Sequence, residues 1–334
     1  MTTTSEGTVT GTSPLNGDVR PERAPQGEAS GQPRPTRLYA VVATYRRPNI
    51  AREAIDALLR QTRPPDGIVL VENSPDWDFR GIYDAGEVEV IHTGWNAGAA
   101  GGFGIGTQVA LERGATHVVL VDDDCILRED TLAGIEHAVT EQVPGAVVGP
   151  AIVTDDGESL VWNIYRPNGK PYARASELPD YPVPTRDLAF HGLTASAEAI
   201  RAAGGPRSDL FFGGPDVEYC LRLADHGYQV FYLPHLRATH HAANYRRFWF
   251  LGSRRVPAGS PGHRYYVLRN RLLMWRMYRR DSVLDGIAKV VAREVVGALL
   301  AGDRVERLRL LGRAVRDAAS GDPRRKMTNA VPLR

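Results

Sequence analysis

The sequence predicts an α/β fold in which helices flank a mostly parallel sheet, with a basic helical extension after it. Between residues 38 and 122, short apolar runs rich in β-branched residues alternate with helical apolar patterns. Hydrophobic residues make up 43% of the 334 residues, which is enough for a substantial core. Charge is distributed unevenly along the chain. Residues 241–334 contain 21 Lys and Arg but 7 Asp and Glu, whereas residues 1–240 contain 20 Lys and Arg but 32 Asp and Glu.

The first elements support this class. Residues 1–36 are rich in Thr, Ser, Gly and Pro and poor in large apolar residues, which predicts a disordered leader. A buried strand over Leu38–Ala43 follows, and then a helix over Ile50–Gln61 with Asn49 as its N-cap. Further strands are predicted over Ile68–Val71 and Val88–Ile91.

The next predicted strand, Val118–Val121, runs directly into three carboxylates, Asp122, Asp123 and Asp124. In open α/β sheets, ligands bind just outside the carboxyl ends of the strands. Adjacent negative charges repel one another unless a cation is present, and hard divalent cations such as Mg²⁺ and Mn²⁺ take oxygen ligands of this kind. The acidic triplet therefore indicates a divalent-cation site, and a solvated turn that caps the next helix is the alternative.

A glycine-rich segment, Gly94–Gly106, precedes this strand and opens a helix that ends near Arg113. Backbone without side chains at the start of a helix can approach a phosphate or ribose closely. The segment matches neither the GxGxxG pattern nor the P-loop, so a flexible turn is an equally good interpretation.

The following region is less regular. Helices are predicted over Leu132–Val143 and Leu193–Ala203, and strands over Ala146–Gly149 and Tyr228–Leu233. Residues 154–187 show no clear period, which is typical of substrate-facing loops and of ordinary surface loops alike.

Two groups carry chemistry whose role the residues alone leave open. Pro215 fits the first turn of a helix, so Asp216 lies near the positive helix end, where an acid more often only stabilises the helix. His240 and His241 follow the last predicted strand. Histidine binds divalent metals, but an adjacent pair is more often a surface feature.

The C-terminal extension begins at residue 244, where aromatic residues and arginines are interspersed. Residues 283–318 carry helical apolar patterns with a basic face, which is typical of contact with an anionic membrane surface. Helices that pack on the domain, or on a second subunit of a homo-oligomer, are the alternative.

Cysteine content and hydropathy limit the cellular context. The two cysteines, Cys125 and Cys220, have no partners at metal-ligand spacing, and this favours a reducing compartment over a disulfide framework. No apolar segment resembles a signal peptide or reaches the ~18–20 residues that span a bilayer. We therefore expect a cytoplasmic protein, at the inner face of the plasma membrane if the basic helices contact lipid.

Five segments in this order resemble one family. They are Val41–Arg47, Val71–Ser74, Trp95–Phe103, Val121–Asp124 and Pro215–Arg222. Their order is similar to that of the inverting family 2 glycosyltransferases with the Rossmann-like GT-A fold, in particular the galactofuranosyl- and rhamnosyltransferase branch, which Tyr265–Asn270 also resembles. The resemblance implies a catalytic domain over residues 37–243 and a basic extension over residues 244–334.

The resemblance also assigns roles to residues. It implies that Asp122 and Asp124 hold Mn²⁺ or Mg²⁺ together with His240, and that Asp216 is the catalytic base. The nucleotide-sugar donor would be bound by Thr44, Tyr45, Arg46, Glu72, Asn96, Gly98, Gly101, Gly102 and Asp123. The sequence departs from the family pattern at Pro215, where an acid is usual, and at Glu72, where Asp is usual.

The implied activity is that of a hexosyltransferase. It would move galactofuranose or rhamnose from a nucleotide-sugar to a hydroxyl of a glycan acceptor, such as a polyprenyl-linked cell-wall glycan. The residue chemistry agrees, because a cation at the acidic triplet offsets charge on the leaving diphosphate and Asp216 can take the proton of the acceptor.

Three other functions fit parts of the sequence. A sugar-phosphate nucleotidyltransferase has a glycine-rich basic loop after its first strand, but Thr44–Pro48 contains no glycine. An aspartyl-phosphate phosphatase has Thr four residues after its nucleophilic Asp, a position that Ile126, Leu127 and Arg128 occupy here. A non-catalytic protein could bind RNA or a membrane through its basic tail, but the acidic body and the acidic triplet argue against a nucleic-acid partner.

Overall fold

The structure, a computed structural model of the chain, describes residues 35–76, 86, 88–240, 245–247, 255–257, 261–279, 281–300 and 304–320. The predicted leader, residues 1–36, lies outside these residues except for its last two. The described residues belong to one compact unit, Pro35–Arg334. The domain boundary predicted between residues 243 and 244 also falls outside the described residues and stays a prediction.

Strands and helices alternate along the chain. The strands are β1 (Leu38–Thr44), β2 (Gly67–Glu72), β3 (Val88–His92), β4 (His117–Asp122), β5 (Cys125–Leu127), β6 (Val147–Val153), β7 (Val183–Pro184), β8 (His191–Ser196), β9 (Val230–His240), β10 (Tyr245–Arg247) and β11 (Arg255–Pro257). The helices are α1 (Pro48–Leu59), α2 (Gly98–Glu112), α3 (Thr131–His137, continued by a π turn over Ala138–Gln142), α4 (Ala197–Ala203), α5 (Pro215–Asp225), α6 (Pro261–Tyr278), α7 (Asp281–Leu300) and α8 (Arg304–Ser320).

Among the described residues, nine strands form one mixed sheet in the order β3-β2-β1-β4-β8-β6-β9-β5, with β7 paired to β9. The strands β1 to β4 run parallel, as do β6 and β9. The strand β8 lies between these two groups and is antiparallel to both of its neighbours, β4 and β6. The predicted α/β class is confirmed, and the antiparallel strands β5, β7 and β8 make the sheet mixed.

Two local predictions are wrong. The segment Leu193–Ala203 is not one helix, because its first four residues continue the strand from His191, where backbone pairing to β4 and β6 overrides the helical spacing. Ser196 then caps α4, as its hydroxyl oxygen accepts a hydrogen bond from the Ala199 N–H at 3.1 Å. Asn49 is not an N-cap either, since α1 begins one residue earlier at Pro48, whose fixed φ suits a first turn.

Helices cover both faces of the sheet because side chains alternate along each strand. In β1, Val41 belongs to the buried cluster that contains Phe103 of α2. Its neighbours Ala40 and Val42 belong to the opposite cluster, which contains Ile55 of α1. The core thus fills both faces and leaves the strand ends as the place where polar side chains can gather.

The helix α2 packs against the sheet through a glycine. A Cβ atom built on Gly106 would lie 2.3 Å from Val41 Cγ1 and 3.0 Å from Val71 Cγ2. Glycine at this position therefore lets the helix backbone rest directly on β1 and β2.

The three C-terminal helices pack on one another, and α6 also reaches α5. Tyr265 and Leu268 of α6 share a buried cluster with Val290 of α7 and Ala314 of α8. The helical patterns predicted within 283–318 are confirmed. No helix in the described ranges combines the length and the apolar character needed to cross a bilayer.

Gly106→Ala tests the close approach of α2. The added methyl group must displace Val41 or Val71, and overpacking of this kind costs about 1–3 kcal/mol. Gly312→Ala in α8 is the matched control, because nothing lies within 4 Å of its Cβ position and alanine is favoured over glycine in a helix by up to ~1 kcal/mol. Urea denaturation should show a lower midpoint for the first variant and an equal or higher midpoint for the second. Equal midpoints for both variants would contradict the close packing.

Candidate active site

Strand register brings carboxylates and histidines to one edge of the sheet. Asp122 ends the parallel strand β4. The antiparallel strand β8 begins beside it, because Val121 pairs with His191. The strands β5 and β9 meet next to the acidic triplet, with Cys125 opposite His240. Each antiparallel pairing thus places one histidine beside the triplet.

Three of these side chains form a candidate metal site. One ligand atom each from Asp124, His191 and His240 lies within 4.8 Å of the other two. Asp122 borders the group, with its Oδ2 3.2 Å from His191 Nε2. The structure therefore groups two of the three predicted ligands, Asp124 and His240, with His191. The third predicted ligand, Asp122, lies outside this group and contacts His191.

The residues present fit a transition-metal ion. One carboxylate with two imidazoles is a donor set that suits Mn²⁺ better than Mg²⁺, which prefers oxygen ligands. The Nδ1 atom of His191 is buried and has no hydrogen-bond partner in the described part of the chain. Buried polar atoms normally have a partner, so this nitrogen is consistent with a ligand that completes the site.

Negative charge dominates the electrostatics of this edge. Burial alone would lower the pKa of His191, but its hydrogen bond to Asp122 and the charges of Asp122 and Asp124 raise it above the ordinary value. Burial alone would raise the pKa of Asp124, but the nearby charges of Arg47 and His240 lower it. Asp124 therefore stays ionised at neutral pH and attracts a cation.

Asp123 points inward, with its side chain only 1% exposed. Thr44 Oγ1 donates to its Oδ2 at 2.7 Å, and Arg47 donates to both of its oxygens. Arg47 also donates to Asp124 Oδ2 at 2.9 Å. Burial raises the pKa of Asp123 to about 7, and the bonds from Arg47 and Thr44 oppose that rise. In this structure Asp123 holds Thr44 and Arg47, and its contact with the donor stays a prediction.

Asp216 lies in the first turn of α5 with a half-buried side chain. Burial raises the pKa of its carboxyl to about 6, and the charges of Asp122 and Asp187 add to this effect. The Val217 N–H, which donates to Asp216 Oδ1 at 2.9 Å, opposes it. Asp216 is thus near enough to the acidic edge to be influenced by Asp122, and it is a stronger base than an exposed aspartate.

The predicted donor residues after β1 and β2 differ in exposure. Tyr45 is half-buried, whereas Arg46 is exposed and donates to both carboxylate oxygens of Asp76 at 2.8–3.2 Å. Glu72 is fully buried. One of its oxygens accepts from the backbone N–H two residues later at 2.6 Å, and the other lies 2.7 Å from His92 Nδ1. A role for Glu72 in donor binding would therefore be indirect, through the turn that it holds.

The glycine-rich segment is mostly helix. Gly98 begins α2 with a φ of +72°, and a Cβ atom there would lie 2.4 Å from a backbone oxygen. Gly101 and Gly102 are buried in the first turns, where larger side chains would collide with their neighbours. Asn96 Oδ1 accepts a hydrogen bond from the Gly98 N–H at 2.9 Å. These contacts explain the glycines by close packing, and donor binding by the segment stays a prediction.

His191 and Arg47 complete this edge, and sequence patterns alone do not identify them. His191 lies just before Leu193–Ser196, a segment that has helical spacing of apolar residues but forms a strand. Ser196 is a recognisable N-cap residue, and this signal could have placed the start of the helix at Ala197. Arg47 lies within a recognised motif, but only its ion pairs show that it neutralises the acidic triplet. His241, the alternative to His240, lies outside the described residues.

Comparison with known proteins shows the family of the chain. Residues 39–197 match the glycosyl transferase family 2 domain. The galactofuranosyltransferase GlfT1 of Mycobacterium tuberculosis (strain ATCC 25618 / H37Rv) is 32% identical over 251 residues, which cover 70% of this chain and 80% of the relative. The chain belongs to glycosyl transferase family 2. The dTDP-rhamnosyl transferase RfbF of Shigella flexneri is 25% identical over 267 residues, 79% of this chain and 86% of the relative. The predicted family and the glycosyltransferase class are confirmed.

Solved structures support the GT-A fold of this family 2 enzyme. The crystal structure of S. aureus TarS 1–349 matches with a TM-score of 0.53 at 14% identity and covers 86% of this chain and 81% of that one. GalNAc-T7, solved with UDP, GalNAc and Mn²⁺, matches with a TM-score of 0.51 at 15% identity over 72% of this chain. The chain spans about half, 48%, of that protein. At these identities the likeness shows the fold alone.

Replacement of the histidines tests the candidate metal site. His191→Ala and His240→Ala should each weaken Mn²⁺ binding by at least about 10-fold, because each removes one donor. His235→Ala is the matched control, since His235 lies exposed on the same strand as His240 and should be dispensable. Isothermal titration calorimetry measures the affinity. Wild-type affinity in both ligand variants would place the cation elsewhere.

Proposed function

We propose that this family 2 enzyme is a metal-dependent inverting glycosyltransferase that uses Asp216 as its base. The observation that carries the proposal is a cation donor set next to a half-buried carboxylate of raised pKa. Inverting glycosyl transfer can use both groups, because the cation offsets the charge on the leaving diphosphate while the carboxylate takes the proton of the acceptor hydroxyl.

Asp216 is the group that would accept this proton. A pKa of about 6 makes it a stronger base than an exposed aspartate and still leaves it largely ionised at pH 7. Glu218, the other acid in the first turn of α5, is fully buried, and its Oε1 accepts a hydrogen bond from Arg222 Nε at 2.9 Å. Pro215 takes the place where related enzymes carry an acid, so Asp216 is the acid of this turn that remains available as a base.

The stereochemistry follows from a single displacement. The acceptor oxygen attacks the anomeric carbon from the face opposite the diphosphate, and the carbon passes through an oxocarbenium-like state. One attack with proton transfer to Asp216 inverts the anomeric centre without a covalent enzyme intermediate.

Asp124, His191 and His240 would hold Mn²⁺, with Asp122 beside them. When bound, the cation offsets the negative charge that develops on the departing diphosphate. Arg47 keeps Asp123 and Asp124 in place before the donor arrives, since it bridges the two carboxylates.

The proposed donor sugar is galactofuranose or rhamnose on a nucleoside diphosphate. This choice is supported by the names of two relatives, a galactofuranosyltransferase and a dTDP-rhamnosyl transferase. The donor would lie at the ends of β1 and β2 and the start of α2, where Tyr45 and Arg46 are accessible and the other predicted donor residues shape the backbone.

We further propose that the acceptor is a polyprenyl-linked cell-wall glycan, reached at an anionic membrane surface on the inner face of the plasma membrane. The helices α7 and α8 expose apolar side chains that recur at helical spacing on one face of each helix. These residues are Leu284, Val291 and Val295 on α7, and Val305, Leu308 and Val315 on α8.

Charge favours lipid over a second copy of the chain as the partner of this surface. Arg309 and Arg316 are exposed along the apolar face of α8, and neither forms an ion pair with any residue that the structure describes. Two copies would bring these positive charges together, whereas anionic headgroups would neutralise them at about 1 kcal/mol for each arginine.

Asp216→Asn tests the base. With UDP-galactofuranose or dTDP-rhamnose as donor and Mn²⁺ present, the variant should lose about 10²–10⁴-fold in kcat, measured as nucleoside diphosphate release. The wild-type rate should rise with pH through about 6 and level off above neutrality, because only the ionised carboxylate accepts a proton. Asp225→Asn at the other end of α5 is the control and should keep the wild-type kcat. Full activity of Asp216→Asn with a working donor would refute the proposed mechanism.

Vesicle cosedimentation tests the membrane surface. The double variant Arg309→Gln/Arg316→Gln should bind phosphatidylglycerol vesicles about 30-fold more weakly, because two headgroup contacts of ~1 kcal/mol are lost. Arg52→Gln/Arg60→Gln, which removes one exposed arginine from α1 and one directly after it, is the matched control and should bind normally. Equal binding of all proteins to neutral and anionic vesicles, or self-association that the α8 variant abolishes, would contradict the lipid partner.

A further inference from the structure

The turn before Asp216 has an unusual backbone that needs external support. Phe211 has a φ of +61°, and Gly213 and Gly214 follow with φ of +75° and +103°. A bulky residue rarely adopts positive φ, and such a conformation persists only where the surroundings hold it. This turn leads directly into α5, so its conformation determines the position of Asp216.

We propose that α6, from the C-terminal extension, positions the catalytic base through Asn270 and Tyr278. The inference rests on the proposed role of Asp216. Neither residue is among those that the family resemblance assigns to the donor, the cation or the proton transfer, and both act through contacts with the chain on either side of Asp216.

Asn270 holds the turn on the N-terminal side of the base. Its side chain is fully buried. Its Nδ2 lies 2.9 Å from Leu210 O, 2.8 Å from Phe212 O and 3.0 Å from Gly213 O. One amide therefore gathers three carbonyl groups of the strained turn, and their orientation depends on that amide.

Two further contacts fix the same turn from both sides. Arg269, the residue before Asn270, donates from Nη2 to Asp209 O at 2.8 Å. On the opposite side, the Ala100 N–H at the start of α2 donates to Phe211 O at 3.1 Å. The turn is thus held between α6 and α2.

Tyr278 holds the chain on the C-terminal side of the base. Its hydroxyl donates to Glu218 Oε1 at 2.6 Å, and Glu218 lies two residues after Asp216 in the first turn of α5. Arg222 donates to both oxygens of Glu218, at 2.9 and 3.1 Å, and also to the carbonyl of Gly205 at 3.0 Å. The first turn of α5 is therefore tied to α6 beyond Asp216 as well as before it.

These contacts should affect catalysis more than binding. A displacement of about 1 Å at a catalytic group can cost 10²-fold in rate. The cation donors lie on the sheet edge and do not depend on α6, so loss of Asn270 or Tyr278 should leave Mn²⁺ affinity unchanged. The expected signature is a fall in kcat without a matching change in the KM of the donor.

Tyr278→Phe and Asn270→Ala test the inference against a matched control. Tyr265→Phe removes a similar bond from the same helix, because the Tyr265 hydroxyl donates to Asp317 Oδ2 at 2.6 Å, away from α5. We expect kcat to fall about 10-fold in Tyr278→Phe and about 10- to 100-fold in Asn270→Ala, with donor KM and Mn²⁺ affinity within about 2-fold of wild type. Tyr265→Phe should lower the melting temperature by a similar amount to Tyr278→Phe and keep the wild-type kcat.

The outcomes separate this inference from the proposed function. Wild-type kcat in Tyr278→Phe and Asn270→Ala, together with an inactive Asp216→Asn, overturns the positioning role alone. Full activity of Asp216→Asn overturns the base itself. An equal loss of kcat in Tyr265→Phe would show general loosening of the helices and also overturns the positioning role. If Asn270→Ala does not fold, Tyr278→Phe decides the question alone.

Discussion

The register of the antiparallel strands is the constraint on which the rest of the site depends. A shift of one residue in a strand moves every side chain to the opposite face. In β8 such a shift would carry His191 away from the end of β4, and in β9 it would separate His240 from Asp124. Leu193 and Leu233 are buried in the two core clusters in the same register that the histidines require.

The turn between β4 and β5 divides the acidic triplet between two tasks. Asp123 turns inward to Thr44 and Arg47, whereas Asp122 and Asp124 lie beside the histidines. Three consecutive carboxylates would repel one another if all pointed the same way. The strand end separates them, and only two face the place proposed for the cation.

The parallel part of the fold can be predicted from sequence, and the antiparallel part cannot. The strands β1, β2 and β4 are nearly continuous apolar runs whose burial follows from composition alone. The segment Leu193–Ser196 has helical spacing, and only pairing with β4 and β6 makes it a strand. For the site, the resemblance to the family predicts Asp122, Asp124, Asp216 and His240 as functional residues, because these stand within or next to recognisable segments. His191 and Arg47 owe their places to contacts between residues far apart in the chain, which no local pattern contains.

The bridge from Arg47 to Asp123 and Asp124 has a consequence for the turnover of the enzyme. This guanidinium supplies a counter-charge from within the chain, so two carboxylates of the acidic edge are paired without a metal ion. In the proposed mechanism, an ion held at such an edge would leave with the spent nucleotide and be replaced in the next cycle. The supply of manganese would then limit the rate of transfer, and scarcity of the ion would slow the enzyme while Arg47 still held Asp123 and Asp124.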